Sequence, residues 1–216
     1  GTLYMSANFF LPAICSGKEA SKSIALTFDD GPGEGTAAIL EILKSHQVEA
    51  CFFCIGKNIE KHPELLKRIH AEGHIIGNHS FYHGWNFDLL SSKKMKEELR
   101  KTDEAITKEL QITPRFFRPP YGVTSPNLAK AIANDYKTIG WSVRSFDTVI
   151  HNPEKLLKRI IRKLKDGDIV LFHDHSASTQ EILPAFINHV QAIGLKIVRV
   201  DKLIGENPYR DIADRR

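Results

Sequence analysis

The chain has little cysteine, tryptophan and methionine, and it contains no long apolar run. Its 216 residues include three cysteines, too few for a disulfide framework. No segment reaches the ~18 apolar residues of a membrane-spanning helix, and no Ser/Gly-rich linker divides the chain. A Gly-rich phosphate loop and an aromatic-basic stripe are also missing, so we predict no nucleic-acid partner. These absences leave a globular chain with one domain.

Composition and charge are those of an ordinary globular protein. Hydrophobic residues make up 42% and charged residues 26%, and the net charge of +4 weakly favours anionic surroundings. Residues 1–21 form a patchy apolar N-terminal extension without the signature of a signal peptide, which suggests that a signal or anchor upstream has been removed. Such an anchor is the one membrane contact we expect. We place the domain at residues 22–205 and a C-terminal tail at 206–216.

Strand-like and helix-like segments alternate along the domain. The pattern predicts strands at 23–28, 49–55, 74–79, 115–118, 137–143, 168–172 and 196–200 and helices at 35–46, 57–73, 91–110, 125–134, 153–165 and 180–193. Polar clusters follow five of these strands. A barrel brings the carboxyl ends of all its strands to one mouth, whereas an open sheet gathers ligands at one switch point. The sequence therefore favours an α/β barrel.

The first strand ends on two adjacent carboxylates, Asp29 and Asp30, before Gly31 and Pro32. Two crowded carboxylates repel each other unless a cation or proton lies between them. Gly31 and Pro32 break the pleat, so both side chains are able to serve one site. The motif alone is also compatible with a helix-capping turn.

His79 and His83 are four residues apart and follow the third strand. One helical turn would present both imidazoles to a single point. Together with Asp30 they make a three-ligand site with open positions for water, as a hydrolytic Zn²⁺ needs. We predict Zn²⁺ there, with Co²⁺ or Ni²⁺ as substitutes.

Four motifs in order resemble the polysaccharide deacetylase family, the NodB-homology domain of carbohydrate esterase family 4. The motifs are Thr27-Phe28-Asp29-Asp30-Gly31, His79-Ser80-Phe81-Tyr82-His83, Arg118-Pro119-Pro120-Tyr121-Gly122 and Leu171-Phe172-His173-Asp174. The resemblance implies a distorted, TIM-barrel-like (β/α)7 barrel and metal-dependent removal of acetyl groups from acetylated sugars.

The same resemblance implies a role for each matching residue. Asp30, His79 and His83 are the expected metal ligands. The expected catalytic groups are Asp29 as general base, His173 as general acid and Arg118 as the group that holds Asp29.

Four further residues are candidates for substrate contacts. The backbone N–H of Tyr121 resembles the family's oxyanion donor. Leu171 either lines an acetyl pocket or simply packs within its strand. Trp141 and Pro119 are the other two candidates.

One stretch departs from the family pattern. The family usually has Asp-x-x-Asp-Trp where this chain has Arg144 in place of the first Asp and Thr148 in place of the Trp. Arg144 and Arg118 repel each other unless they share an anion, for which Asp147 or Asp29 is the candidate. We hypothesise that Asp147 balances charge near His173. Asp174 and His175 either support the site residues or are plain surface residues, and we favour the second interpretation.

These features predict a hydrolase that removes N-acetyl groups from polysaccharide containing N-acetylglucosamine, such as peptidoglycan or a chitooligosaccharide. An acetylated polysaccharide is the expected partner, and the family resemblance implies an extracytoplasmic location. One alternative is an O-acetyl esterase on xylan or another glycan. The other is a glycan-binding barrel impaired by Arg144.

Overall fold

The computed structural model describes residues 10–17 and 22–210, in which nine strands and eight α-helices form. The strands are β1 (Ala13–Ile14), β2 (Ser23–Asp29), β3 (Cys51–Cys54), β4 (Ile75–Asn78), β5 (Phe116–Phe117), β6 (Lys137–Ile139), β7 (Val143–Arg144), β8 (Ile169–His173) and β9 (Lys196–Ile197). The helices are α1 (Thr36–Ser45), α2 (Gly56–Lys61), α3 (Pro63–Ala71), α4 (Ser92–Leu110), α5 (Pro126–Ile132), α6 (Pro153–Ile161), α7 (Ala177–Ala192) and α8 (Val200–Ile204).

The named strands pair in parallel and form one curled sheet. Its order is β1-β6-β5-β4-β3-β2-β8-β7, and β9 joins β2 beside this path. Parallel strands need crossover connections, and the helices that provide them cover the outside of the sheet. The structure confirms the predicted single-domain α/β fold of the barrel type.

Three predicted elements differ from the observed ones. The helix predicted at 57–73 divides at His62, whose φ of −133° and ψ of 54° are non-helical, because proline at 63 disfavours the α region for the residue before it. The strand predicted at 137–143 divides into β6, which pairs with β1 and β5, and β7, which pairs with β8. The strand predicted at 196–200 ends at Ile197, and α8 begins at Val200.

The two faces of the sheet bury different side chains. On β2, Ile24, Leu26 and Phe28 pack outward under the helices, whereas Ala25 points into a second cluster inside the barrel. Side chains alternate along a strand, so Thr27 and Asp29 share the inward face with Ala25. The alternation also separates Cys51, which lies in the inner cluster, from Cys54, which lies in the outer one. This inward column carries Asp29 to the mouth of the barrel.

The described parts of both terminal segments pack on the barrel. β1 pairs with β6, and the Arg210 guanidinium donates to the Asp103 carboxylate at 2.6 Å. Residues 1–9 and 18–21 of the predicted extension and residues 211–216 of the predicted tail lie outside the described residues, and the proposed domain boundaries stay a prediction. Within the described ranges, none of the helices combines the length and apolar composition that crossing a membrane requires.

Candidate active site

The carboxyl ends of β8, β2 and β4 bring the sequence motifs together, with β3 between β2 and β4. Asp29 ends β2 beside His173 of β8, and Asn78 ends β4 just before His79. Asp30 then turns out of the strand at a φ of 77°, in the left-handed region. This turn allows both adjacent carboxylates to face one site, as the sequence predicted.

Asp30, His79 and His83 form a compact cluster of potential metal ligands. Asp30 Oδ1 lies 3.5 Å from His79 Nε2 and 3.4 Å from His83 Nε2, and the ligand atoms all lie within 4.8 Å of one another. Asp30 Oδ1 is buried and has no hydrogen-bond partner in the described structure. A buried carboxylate oxygen without a partner, facing two imidazoles, is the donor set of a divalent metal site, so these residues fit the predicted ion.

Asp30 and His83 have the protonation states that metal binding requires. Burial lowers the pKa of His79, but the charges of Asp29 and Asp30 raise it more, so a metal competes with a proton at His79. Burial raises the pKa of the Asp30 carboxyl, but the adjoining His79 imidazole lowers it more, so the pKa lies well below its usual range. Burial and the charge of His79 lower the pKa of His83 to about 4. His83 is therefore a neutral imidazole near pH 7, which is the form that binds a metal.

The two histidines are held by a tight loop rather than by the helical turn that their spacing predicted. Ser80 and His83 have φ values of 66° and 51°. The Asn78 Oδ1 atom accepts from the Ser80 N–H at 2.9 Å, and Ser80 Oγ accepts from the His83 N–H at 3.1 Å. His79 Nδ1 donates to the Arg118 carbonyl at 2.7 Å, which leaves its Nε2 lone pair facing Asp30.

Arg118 lies fully buried beneath Asp29. Its Nη1 donates to Asp29 Oδ1 at 2.8 Å and to Thr27 Oγ1 at 2.7 Å. Its other donors reach the carbonyls of Ile139 and Gly140. The second Asp29 oxygen, Oδ2, lies 3.7 Å from His79 Nε2, so the carboxylate is fixed on one side and faces the ligand cluster on the other.

His173 faces the same mouth and is paired with Asp147. Asp147 Oδ1 lies 2.8 Å from His173 Nδ1, and Oδ2 accepts from the His173 backbone N–H at 2.7 Å. Ser145 and Thr179 donate to the same buried carboxylate. Burial lowers the pKa of His173, but the hydrogen bond to Asp147 and its charge raise the pKa more, to about 9. The structure thus places Asp147 where the charge-balance hypothesis puts it.

Arg144 and Arg118 do not share an anion, contrary to the expectation from the sequence. Asp29 pairs with Arg118 and Asp147 pairs with His173. Both guanidinium groups instead lie over the ring of Trp141, at 5.6 Å for Arg118 and 5.9 Å for Arg144. An aromatic face attracts cations, so Trp141 takes the place of the expected anion. Thr148 is exposed.

The remaining substrate-contact candidates surround the ligand cluster. Tyr121 has a φ of 58°, and its ring centroid lies 4.7 Å from that of His83. It is 49% exposed, which suits a residue that contacts a ligand. Leu171 and Pro119 are buried, and Leu171 pairs in register with Thr27 and Arg144. The roles of these residues stay predictions.

Several supporting residues were missed by the sequence reasoning. Asp174 is buried, not a surface residue, and accepts a hydrogen bond from Thr36, which caps the loop after Asp30 through the Gly33 N–H. A Cβ atom at Gly31 would lie 2.1 Å from Asp174 Oδ2, so a larger residue there would displace the Asp174 carboxylate. Asn78 joins the ligand loop to Asp103 at 2.7 Å. The position of Asn78 immediately before His79 was the sequence signal that could have identified it as a supporting residue.

Comparison with known proteins gives a consistent set of relatives. The profile of the family described as "Polysaccharide deacetylase" matches residues 16–139. The chain is 33% identical, over 99% of its length, to the peptidoglycan-N-acetylglucosamine deacetylase PgdA of Listeria monocytogenes, and it covers 46%, or about half, of that protein. It is 34% identical to the peptidoglycan-N-acetylmuramic acid deacetylase PdaA of Bacillus subtilis, with 90% of this chain and 76% of that one covered.

A solved structure is similar as well. The crystal structure of the Bc1960 peptidoglycan N-acetylglucosamine deacetylase superposes with a TM-score of 0.87 at 30% identity, covering 92% of this chain and 95% of that one.

Proposed function

Because the chain belongs to the polysaccharide deacetylase family, we propose that it is a metal-dependent hydrolase that removes N-acetyl groups from the amino sugars of a peptidoglycan-type polysaccharide. One observation carries the proposal. The Asp30–His79–His83 cluster lies between a carboxylate fixed by a buried arginine and an imidazole fixed by a buried carboxylate. A base and an acid on either side of a metal site are what amide hydrolysis needs.

Each group has a distinct task in the proposed reaction. A divalent ion held by Asp30, His79 and His83 supplies Lewis acidity when bound. Asp29 accepts a proton from the attacking water, and Arg118 fixes the carboxylate in position. His173, protonated below its pKa of about 9, donates a proton to the departing amine. The Tyr121 N–H donates to the oxyanion. Water and the amide thus give acetate and a free amine.

The proposed substrate and location follow the relatives. Proteins named as peptidoglycan deacetylases act on a cell-wall polymer, so we place this chain outside the cytoplasm, with an acetylated glycan as its partner. We propose Zn²⁺ as the metal. O-acetyl esterase activity and a binding-only barrel remain the alternatives, and comparing acetate release from a chitooligomer and an acetylated xylan distinguishes them.

Chelation followed by metal addition tests the proposal directly. We expect the chelated protein to release no acetate from N-acetylglucosamine oligomers, and Zn²⁺ or Co²⁺ to restore the activity. Bound metal should also raise the unfolding midpoint, because a ligand that binds only the folded state at 100 times its Kd stabilises it by about 2.7 kcal/mol. Calorimetry with and without metal measures the midpoint. Stoichiometric metal binding without acetate release from any substrate would favour the binding-only barrel.

Asp147→Asn should shift the basic limb of the pH–rate profile. His173 must be protonated to act as the acid, and its pKa of about 9 depends on Asp147. Without Asp147, burial still lowers the pKa and only the charges of Asp29 and Asp30 still raise it, so the pKa falls below 9. We therefore expect activity to decline at a lower pH than in the wild type, measured as kcat/KM between pH 5 and 10. An unchanged profile and turnover would contradict the role of Asp147.

The same pairing should make stability depend on pH. The folded-state pKa of His173 is raised from 6.5 to about 9, so its contribution to stability is full below pH 6.5 and is lost as the pH rises through 9. The folded wild type should thus lose stability between these pH values more steeply than Asp147→Asn. Urea unfolding at pH 6 and pH 9.5 measures the difference.

A further inference from the structure

Two arginines meet at one aromatic ring beside the active site. The guanidinium carbons of Arg144 and Arg159 lie 4.8 Å and 4.4 Å from the ring centroid of Phe146. All three side chains are half-buried. The ring attracts each guanidinium group, as Trp141 does, but it carries no net charge, so the two positive charges are not neutralised. An anion beside the two guanidinium groups would therefore be stabilised by both.

No carboxylate in the described part of the chain is paired with either arginine. Within residues 10–17 and 22–210, neither Arg144 nor Arg159 forms an ion pair or donates a side-chain hydrogen bond, and Arg159 Nε is buried without a partner. Three other half-buried arginines are paired with carboxylates: Arg68 with Glu72, Arg199 with Asp201 at 2.7 Å and Arg210 with Asp103 at 2.6 Å. Arg115 is the half-buried arginine that, like Arg144 and Arg159, has no ion pair within the described residues. The donors at Phe146 are thus available to a ligand.

Arg144 lies on a strand that leads to the mouth of the barrel, and Arg159 reaches Phe146 from α6, the next helix along the chain. In the β7–β8 register Arg144 pairs with Leu171, two residues before His173. Its strand neighbour Val143 belongs to the outer cluster, so Arg144 is on the inward face. Phe146 directly precedes Asp147, which holds His173. Trp141 contacts both Arg144 and Arg118, the residue that holds Asp29. Through Phe146 and Trp141, the pair is thus connected to the residues that hold His173 and Asp29.

We propose that Arg144 and Arg159 form an anion site for a carboxylate of the glycan substrate, namely the lactyl-ether carboxylate of N-acetylmuramic acid in strands without peptide. This inference rests on the proposed function and narrows its substrate. In this sugar the lactyl ether that carries the carboxylate is attached to the ring carbon next to the one that carries the acetamido group, so one sugar presents both groups. Guanidinium groups bind carboxylates with two parallel hydrogen bonds, and Phe146 shields one side from water.

A matched pair of substrates tests the site. One is the peptide-free glycan strand, and the other is the same strand with its carboxylates converted to methylamides. We expect kcat/KM for acetate release to be higher for the acid strand. A hydrogen bond to a charged group contributes on the order of tenfold in affinity, so Arg159→Gln should lower the acid-to-amide ratio about tenfold, and adding Arg144→Gln should bring it near one. A wild-type ratio of one would overturn the proposal.

Arg162→Gln is the matched control. Arg162 follows α6 and is exposed. Its substitution removes the same charge as Arg159→Gln, but at a position without a contact to Phe146. Its ratio should equal that of the wild type. A loss equal to that of Arg159→Gln would overturn the proposal, because it would show a general effect of the basic helix.

Binding separates this inference from the proposed reaction. Affinities of both strands for Asp29→Asn, with and without Arg159→Gln, are measured by calorimetry. A preference for the acid strand that disappears with Arg159→Gln supports the site even if the wild type releases no acetate. Equal affinities for the two strands, with acetate released from both, would overturn the site and leave the deacetylase proposal standing.

Discussion

Asp29→Asn should lower the rate of acetate release by roughly 10²–10⁴-fold, the usual contribution of a general base. Asparagine has nearly the size of aspartate but is unable to accept the proton from water. Asp29 lies outside the ligand cluster of Asp30, His79 and His83, so metal affinity should change far less than the rate. The measurement is kcat on N-acetylglucosamine oligomers together with a metal titration of the same protein.

The neighbouring carboxylate provides the contrast. Asp30→Asn should lose both metal affinity and activity, since Asp30 Oδ1 faces both imidazoles. If Asp29→Asn kept the wild-type rate with metal bound, Asp29 would not be the base. If the two variants lost metal equally, Asp29 would belong among the ligands.

Arg118→Met should lower the free energy of unfolding by about 3–5 kcal/mol, the range found when one partner of a buried ion pair is removed. The side chain of Arg118 is 0% exposed, and it donates to Asp29, Thr27 and two backbone carbonyls. Methionine fills much of the volume but leaves Asp29 buried and without its cation. Urea unfolding measures the loss.

Two further variants show whether the ion pair is the cause. Arg115→Met, three residues earlier and half-buried, should change stability by less than about 0.5 kcal/mol. The double variant Asp29→Asn with Arg118→Met should be less destabilised than the sum of the single variants, because it leaves no charge uncompensated. Strict additivity would mean that Arg118 acts through packing alone.

The sequence predicted the Asp30–His79–His83 cluster because spacing and chemistry coincide there. Asp30, His79 and His83 follow strands that end at the same mouth, and parallel pairing brings those ends together. The pairing of Asp147 with His173 could be predicted for the same reason, since β7 and β8 are neighbours. The partner of Arg144 was not predictable, because Trp141 is brought over it by the irregular residues between β6 and β7.

The support of the ligand loop also lay beyond sequence patterns. Asp103 on α4 accepts hydrogen bonds from Asn78, Tyr136 and Arg210, which are far apart in the chain. Such long-range polar contacts leave no periodic trace in a single sequence. Nor did periodicity reveal β1, whose two residues pair with β6 and form one end of the sheet.

The left-handed residues of the mouth have a consequence for the range of sequences that this site tolerates. Asp30, Ser80, His83 and Tyr121 all have positive φ. The left-handed conformation costs roughly 1–2 kcal/mol for a residue with a Cβ atom, and β-branched residues are the least compatible with it. Position 80 therefore accepts few residue types, because its backbone is left-handed and its side chain is buried. Substitutions at the mouth are restricted by backbone conformation as well as by chemistry, so divergence in substrate range falls to the side chains around these turns.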